Sequence, residues 1–345
     1  MNQSDSGLKN STISKHSIDP EQLKWWLPVD ALIDGGRPAV EWMDLRDVSF
    51  SEPFFHETIE RIKTNGAVQS YVTDIDFLLQ MEKICESADP AGFIFHTSRC
   101  GSTLLANACR ALHGSIVISE AQVLDKIASR FFTDAEPNST KELLYLLFLK
   151  AAVTTLGQRQ TRVANRYFIK FGCSSTLQMQ QIRRVWPHVP FVFLYRNPVE
   201  VIVSNLRSTP EWMKPQSNLK TAAAIVGVEV SEVEDLSPEE FCARAVGRFL
   251  SEALASVDGQ TKLINYEELT SPDGLIDAVR FFGIQPVTAE IDAIGEVSRL
   301  YSKDLTGGVT FQSDGQSKRT SASTSVIDLA AKWALPFYEQ LDNRP

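Results

Sequence analysis

Short apolar runs alternate with amphipathic segments along most of the chain. The runs FIF, SIVIS, RYFIK, FVFLY and KLINY have the length and composition of buried strands, whereas STLLANACRAL and PVEVIVSNLRS carry apolar residues at helical spacing. Strands and helices that alternate in this way form a parallel sheet covered by helices on both faces. The pattern therefore predicts an α/β chain with three layers, α/β/α, around a central parallel sheet.

The alternation does not extend over the whole chain. Residues 1–20 are polar and predict a disordered tail, and residues 21–90 contain short mixed segments with one predicted helix, DIDFLLQMEKICESA. We interpret 21–90 as an N-terminal accessory region and 91–345 as the main domain. A polar stretch from Ser302 to Ser325 predicts a mobile loop.

Composition limits the function classes. The 345 residues are 43% hydrophobic, which suffices for a large core, and their formal charge of -9 argues against a nucleic-acid partner. No apolar run reaches the ~20 residues that span a bilayer, and the N-terminus lacks the apolar part of a signal peptide. The five cysteines are scattered, without metal-ligand spacing. We expect a cytoplasmic protein without a structural metal and without a membrane partner.

The segment FHTSRCGSTLL places a turn between a predicted strand and a predicted helix. Free backbone N–H groups and the helix dipole both point at such a turn, which therefore suits an anion. The candidate anion-binding residues are Arg99, Cys100, Gly101, Ser102, Thr103 and Leu104.

Charged residues follow three other predicted strands. SIVIS ends at Glu120, RYFIK ends at Lys170, and FVFLY is followed by Arg196. Ligands of open parallel sheets bind outside the carboxyl ends of the strands, so these side chains are expected to converge on one edge.

The segment YRNPVEVIVSNLR predicts a second anion site. Asn197, Pro198 and Glu200 form a well-specified helix start. Arg196, Ser204 and Arg207 are predicted to bind a second phosphate together, through guanidinium forks and a hydroxyl.

Two phosphate chemistries fit the turn poorly. A kinase or ATPase loop needs Lys where Ser102 stands, and no Asp ends an apolar strand to hold magnesium. A cysteine phosphatase would use Cys100 at the helix start and an Arg six positions later, where Ala106 stands.

Three motifs together resemble the sulfotransferases that use 3′-phosphoadenylyl sulfate (PAPS). TSRCGSTLL resembles their 5′-phosphosulfate loop, YRNPVEVIVSNL is similar to their 3′-phosphate motif, and INYEELTSPDGLIDAVRFFGI is similar to a later family segment. The resemblance covers roughly residues 91–341 and is nearest to the tyrosylprotein sulfotransferase branch, with Arg99 and Glu120 at matching positions. It implies the P-loop nucleotide-hydrolase-like fold of these enzymes and PAPS as co-substrate.

The chemistry of sulfuryl transfer and the resemblance together suggest roles for individual residues. Glu120 is the candidate base, with His96 as the alternative, and Lys170 and Arg99 are the candidate electrostatic stabilisers. Tyr266 would lie near the adenine, and Lys318 and Arg319 would belong to a cofactor lid. The cytosolic branch has Lys in place of Arg99, and Golgi-type enzymes carry an anchor and disulfides, so neither branch supplies the acceptor. A small molecule is the acceptor expected of an acidic chain.

Other interpretations remain open at this stage. Glu120 and Lys170 could form only a salt bridge, and the turn could be an ordinary capped one. An atypical nucleotide-dependent kinase and a non-catalytic module that binds the nucleotide are the two alternative functions.

Overall fold

A computed structural model describes residues 18–344 apart from 47, 49, 51, 67, 133–137, 160–163, 215–217, 272 and 300–314. The predicted tail therefore lies almost wholly outside the described residues, as does the first part of the predicted mobile loop. Among the residues that are described, no helix is long and apolar enough to cross a membrane.

The five predicted strands form one parallel sheet. Its strands are β4 (Pro90–His96), β5 (Ser115–Ser119), β6 (Arg166–Lys170), β7 (Phe191–Tyr195) and β8 (Thr261–Asn265), in the spatial order β5-β6-β4-β7-β8. The chain crosses from one side of β4 to the other between β6 and β7, so β4 lies at the topological switch point.

Both faces of the sheet are buried. Phe93 and Phe95 of β4 belong to one hydrophobic cluster and Ile94 to another, as expected when successive side chains of a strand point to opposite faces. Helices cover each cluster, which confirms the predicted three-layer α/β architecture. The helices of the main domain are α3 (Ser102–Arg110), α4 (Gln122–Lys126), α5 (Thr140–Leu156), α6 (Met179–Val185), α7 (Pro198–Arg207), α8 (Leu219–Val226), α9 (Pro238–Ala255), α10 (Tyr266–Leu269), α11 (Gly274–Phe281), α12 (Thr288–Arg299), α13 (Gly315–Thr320), α14 (Thr324–Trp333) and α15 (Leu335–Asp342).

The accessory region is a small antiparallel sheet with two helices. Its elements are β1 (Trp26–Asp34), β2 (Arg37–Asp44), α1 (Phe55–Asn65), β3 (Ser70–Asp74) and α2 (Phe77–Ile84). Its buried side chains, among them Trp42, belong to the same hydrophobic cluster as Phe93 and Phe95. Lys126 of α4 also pairs with Asp30 of β1 at 2.7 Å. The accessory region is thus packed against the main domain.

Candidate active site

All five parallel strands end at one edge of the sheet, which we call the carboxyl edge. Residues 97–101, the Gly101 loop, follow β4; Glu120 follows β5; Lys170 ends β6; Arg196 follows β7; and Tyr266 follows β8. The convergence expected from the strand ends is therefore present.

The Gly101 loop has an unusual backbone. Ser98, Arg99 and Gly101 have φ angles of 71°, 51° and 85°, in the left-handed region that non-glycine residues rarely adopt. No side chain caps the start of α3 at Gly101. Backbone strain of this kind is found at ligand sites, and an uncapped helix start directs unpaired N–H groups at whatever lies above it. The loop has the geometry of an anion cradle.

Gly101 is the contact point between the loop and α10. A Cβ atom at this position would lie 2.9 Å from the Leu269 side chain and 3.2 Å from the Tyr266 ring. The glycine is therefore required both by its positive φ and by this close approach.

Asn205 of α7 holds the loop in place, and the sequence did not indicate this residue. Its Oδ1 atom accepts hydrogen bonds from Ser98 Oγ at 3.1 Å and from Arg99 Nε at 3.2 Å. Arg99 also donates to the Ser208 carbonyl at 2.6 Å. The Arg99 guanidinium thus lies along α7, and its catalytic role stays a prediction. In the sequence, this contact is indicated only by the amide of Asn205 at a position of α7 where its neighbours Val201 and Ile202 are apolar.

Glu120 and Lys170 form an ion pair at the carboxyl edge. The backbone N–H of Glu120 donates to the Lys170 carbonyl at 2.7 Å, and Glu120 has a left-handed φ of 52°. The Lys170 side chain is 1% exposed and that of Glu120 is 26% exposed. Burial acts to raise the pKa of Glu120, but the charge of Lys170 and the neighbouring His96 outweigh it and hold that pKa well below its usual range. The Glu120 carboxylate is therefore ionised at neutral pH.

His96 is fully committed to the backbone. Its Nδ1 atom accepts from the Ser98 N–H at 3.0 Å, so Nε2 carries the proton of the neutral ring and donates to the Phe171 carbonyl at 3.1 Å. Burial lowers the pKa of His96. Glu120 Oε1 lies 3.4 Å from Nε2. Both ring nitrogens are thus engaged within the protein, which favours Glu120 over His96 as the base. The choice between them stays a prediction.

The second predicted anion site centres on a buried ion-pair cluster. Arg196 Nε donates to Glu200 at 2.6 Å, its guanidinium stacks over the Tyr266 ring at 4.1 Å, and Nη1 donates to the Arg99 carbonyl at 3.4 Å. Glu200 also pairs with Arg319. Arg196 thus lies directly beside the Gly101 loop, and its guanidinium is bound to Glu200 within the protein.

Lys318 and Arg319 lie in helix α13, so the prediction of a mobile loop is wrong for this part of 302–325. Lys318 is buried, and Gly315 lies so close to Glu200 that a Cβ there would be 2.8 Å from the carboxylate. The helix forms because it packs on α7 through these contacts, which composition alone does not show. Helix α13 contacts Glu200 through Gly315 and Arg319, and its role as a cofactor lid stays a prediction.

The remaining candidates lie around these groups. Ser204 is half-buried, whereas Arg207 is exposed and donates to Ser321 Oγ at 2.7 Å. Their joint binding of a phosphate with Arg196 stays a prediction. Cys100 is buried and its thiol donates to the Leu194 carbonyl at 3.2 Å, and burial raises its pKa. A thiol so placed is not a phosphatase nucleophile. Ser102, Thr103 and Leu104 are buried in the first turn of α3.

Asp125 of α4 is a further carboxylate beside the pair, and the sequence did not single it out. It accepts from Ser175 Oγ at 3.0 Å, and a Cβ at Gly172 would lie 2.8 Å from its Oδ2 atom. Burial and the charge of Glu120 raise the pKa of Asp125 to about 7. Across the described residues, no three His, Cys, Asp or Glu side chains come together as a metal ligand set.

The elevated pKa of Asp125 predicts a pH-dependent stability difference. Because its pKa is about 7 in the folded protein and ~3.9 when unfolded, its contribution to stability is complete below pH ~4 and is lost as the pH rises through 7. Asp125→Asn does not titrate. We therefore expect the melting temperature of the variant, relative to the wild type, to rise by about 5 °C between pH 4 and pH 8. A difference that stays constant over this range, measured by thermal unfolding, would contradict the assignment.

Comparison with known proteins gives matches among solved structures only. No protein-family model and no curated protein sequence matches the chain. It is similar to a sulfotransferase domain from the curacin biosynthetic pathway (14% identity, 71% of this chain and 98% of that one, TM-score 0.39). It is also similar to the sulfotransferase domain of the Synechococcus PCC 7002 olefin synthase (18% identity, 74% of this chain and 94% of that one, TM-score 0.35). A third similar structure is the sulfotransferase STF9 from Mycobacterium avium (13% identity, 78% of this chain and 81% of that one, TM-score 0.40).

Proposed function

We propose that this chain is a PAPS-dependent sulfotransferase that transfers a sulfuryl group to a hydroxyl or amine of a small-molecule acceptor. One observation carries the proposal. The uncapped start of α3 lies at the same edge of the sheet as the Glu120–Lys170 pair. Arg196 donates to the Arg99 carbonyl of the Gly101 loop, which leads into α3. A candidate anion cradle, a candidate base and cations thus lie where an open α/β sheet binds its ligands, which supports the proposal.

The residues present fit the co-substrate. The N–H groups at the start of α3 would bind the 5′-phosphosulfate, because unpaired donors and the helix dipole favour negative charge there. Arg196 and Arg319 both pair with the Glu200 carboxylate, and we propose that these two guanidinium groups bind the 3′-phosphate. Tyr266, packed between Gly101 and Arg196, offers a ring near the nucleoside.

The transfer step requires a base and charge stabilisation. Glu120 would accept the proton of the acceptor hydroxyl while the acceptor oxygen bonds to sulfur and the bond between sulfur and the phosphate oxygen breaks. Lys170 would stabilise the charge that develops on the sulfuryl and departing oxygens. As the ammonium turns to these oxygens it holds Glu120 less strongly, and the carboxylate becomes a stronger base. Adenosine 3′,5′-bisphosphate (PAP) leaves.

Thermal unfolding with competing nucleotides tests the proposal. PAP at a thousandfold excess over its dissociation constant should stabilise the protein by about 4 kcal/mol, whereas ATP with magnesium should have little effect. A shift with ATP and magnesium but none with PAP would indicate a kinase. A shift with PAP but no release of sulfate from PAPS with any acceptor would indicate a non-catalytic module.

A further inference from the structure

A side chain of the accessory region, Phe54, contacts the candidate catalytic pair. Its ring lies over the Lys170 ammonium, with Nζ 4.7 Å from the ring centroid. A cation over an aromatic face is held there by the ring quadrupole. A residue of the segment between β2 and α1 thus forms part of the surroundings of the Glu120–Lys170 pair.

The Phe54 ring is fixed by its neighbours. The backbone N–H of Phe54 donates to Glu57 at 3.3 Å, and the next residue, Phe55, is buried and stacks on Phe50 at 5.7 Å. The Phe54 ring itself stacks on His56 at 5.6 Å and is half-buried. A partly exposed aromatic surface is therefore held in place beside the ammonium.

The sheet order assigns this surface to the acceptor. The groups proposed for the nucleotide follow β4, β7 and β8, which are adjacent, whereas Glu120 follows β5 and Lys170 ends β6, on the other side of the switch point. Phe54 covers Lys170 from the accessory region, which also contacts α4 just beyond Glu120. The acceptor would approach the base on this side.

Two basic side chains that bear on the accessory region are paired with carboxylates. Lys126 pairs with Asp30 at 2.7 Å, and Arg61 pairs with the buried carboxylate of Glu52. The aromatic surface of Phe54 favours hydrocarbon over heavily hydrated groups, since burial of apolar area against it is favourable and dehydration of polar groups is costly.

We propose that the acceptor is an apolar alcohol, aryl or alkyl, and that Phe54 determines this specificity by packing against the hydrocarbon next to the reacting hydroxyl. The inference rests on the proposed sulfotransferase function. It assigns acceptor recognition to the accessory region.

Steady-state kinetics with three acceptors test the inference. 2-Naphthol, 1-octanol and glucose are compared as acceptors at saturating PAPS, with the wild type, Phe54→Ala, Phe54→Leu and the control Phe50→Ala. Phe50 lies in the same segment as Phe54, but its ring stacks on Phe55 and not on Lys170. Phe50→Ala therefore removes an aromatic ring without removing the contact to Lys170. Binding of PAP to each variant is measured by calorimetry.

The wild type should prefer both apolar alcohols to glucose in kcat/KM by at least about 100-fold, and Phe54→Ala should raise their KM about tenfold with little change in kcat. Phe54→Leu keeps an apolar surface but loses the quadrupole, so it should retain most of the affinity for 1-octanol. The control should behave as the wild type, and PAP binding should be unchanged throughout.

Two results would overturn the inference while the proposed function stands. One is a wild type that sulfates glucose better than the apolar alcohols. The other is an equal loss of kcat in Phe54→Ala and Phe54→Leu for all acceptors with KM unchanged, because Phe54 would then only position Lys170. A wild type that fails to bind PAP would instead remove the proposed function itself.

Discussion

Replacement of Glu120 by Gln is expected to lower kcat about 10²- to 10⁴-fold, the contribution of a positioned base. Gln has the shape of Glu but cannot accept the acceptor's proton. Glu120 is the partly exposed carboxylate of the carboxyl edge, ionised at neutral pH and fixed by Lys170 and by its own backbone N–H. The residues proposed to bind the nucleotide follow other strands, so the dissociation constant of PAP should change less than about threefold.

The same replacement leaves the Lys170 ammonium buried without its carboxylate, and loss of one partner of a buried pair is destabilising. The double variant Glu120→Gln, Lys170→Met separates the two effects. It removes both charges, so it should recover stability lost by the single variant, but it should not recover turnover.

Glu82→Gln is a matched control. Glu82 of α2 forms an ion pair with Lys150 of α5 at 2.9 Å, away from the carboxyl edge. It should keep wild-type turnover. Single-turnover rates with PAPS, together with calorimetry for PAP, give the two readouts. A Glu120→Gln enzyme that retains more than about a tenth of kcat would show that the base is another residue.

The parallel sheet could be predicted because its signal is local. β4 to β8 are buried on both faces, so their sequences are continuous apolar runs, and their carboxyl ends lie at one edge for topological reasons. The convergence of Glu120, Lys170 and Arg196 follows from that rule alone.

The accessory sheet could not be predicted in the same way. β1 to β3 pair antiparallel, and their buried and exposed positions are interrupted by an irregularity between Pro28 and Asp30. The segment SYVTD of β3 is too short and polar to stand out, although Trp42 on its partner β2 is completely buried. These strands can be recognised from their antiparallel hydrogen bonding in the structure, but not from their hydrophobic pattern.

The missed contacts of the site join residues far apart in sequence. Asn205 binds Ser98 and Arg99 across more than 100 positions, and Phe54 meets Lys170 from another region of the fold. Arg319 was predicted in a loop because its neighbours in sequence are polar. It lies instead in helix α13, where it pairs with Glu200 of α7. Such contacts depend on tertiary packing, which periodicity does not encode.

Replacement of Gly101 by Ala is expected to weaken PAP binding at least about tenfold and to destabilise the fold by about 1 to 3 kcal/mol. The φ of Gly101 is 85°, so any side chain is strained there, and the added Cβ would lie 2.9 Å from Leu269 and 3.2 Å from the Tyr266 ring. We expect the loop to shift to relieve the backbone strain, and the start of α3, which would bind the phosphosulfate, to shift with it.

Gly283→Ala is the matched control for backbone strain. Its φ of 76° is similar, but nothing lies within 4 Å of the added Cβ, and it follows α11 rather than a strand of the carboxyl edge. Calorimetry and thermal unfolding of both variants separate strain from ligand binding. Both should lose stability, while only Gly101→Ala should lose affinity for PAP, because only there does the displaced backbone carry the N–H groups of the anion cradle. Equal PAP affinity in the two variants would mean that the nucleotide does not bind at the Gly101 loop.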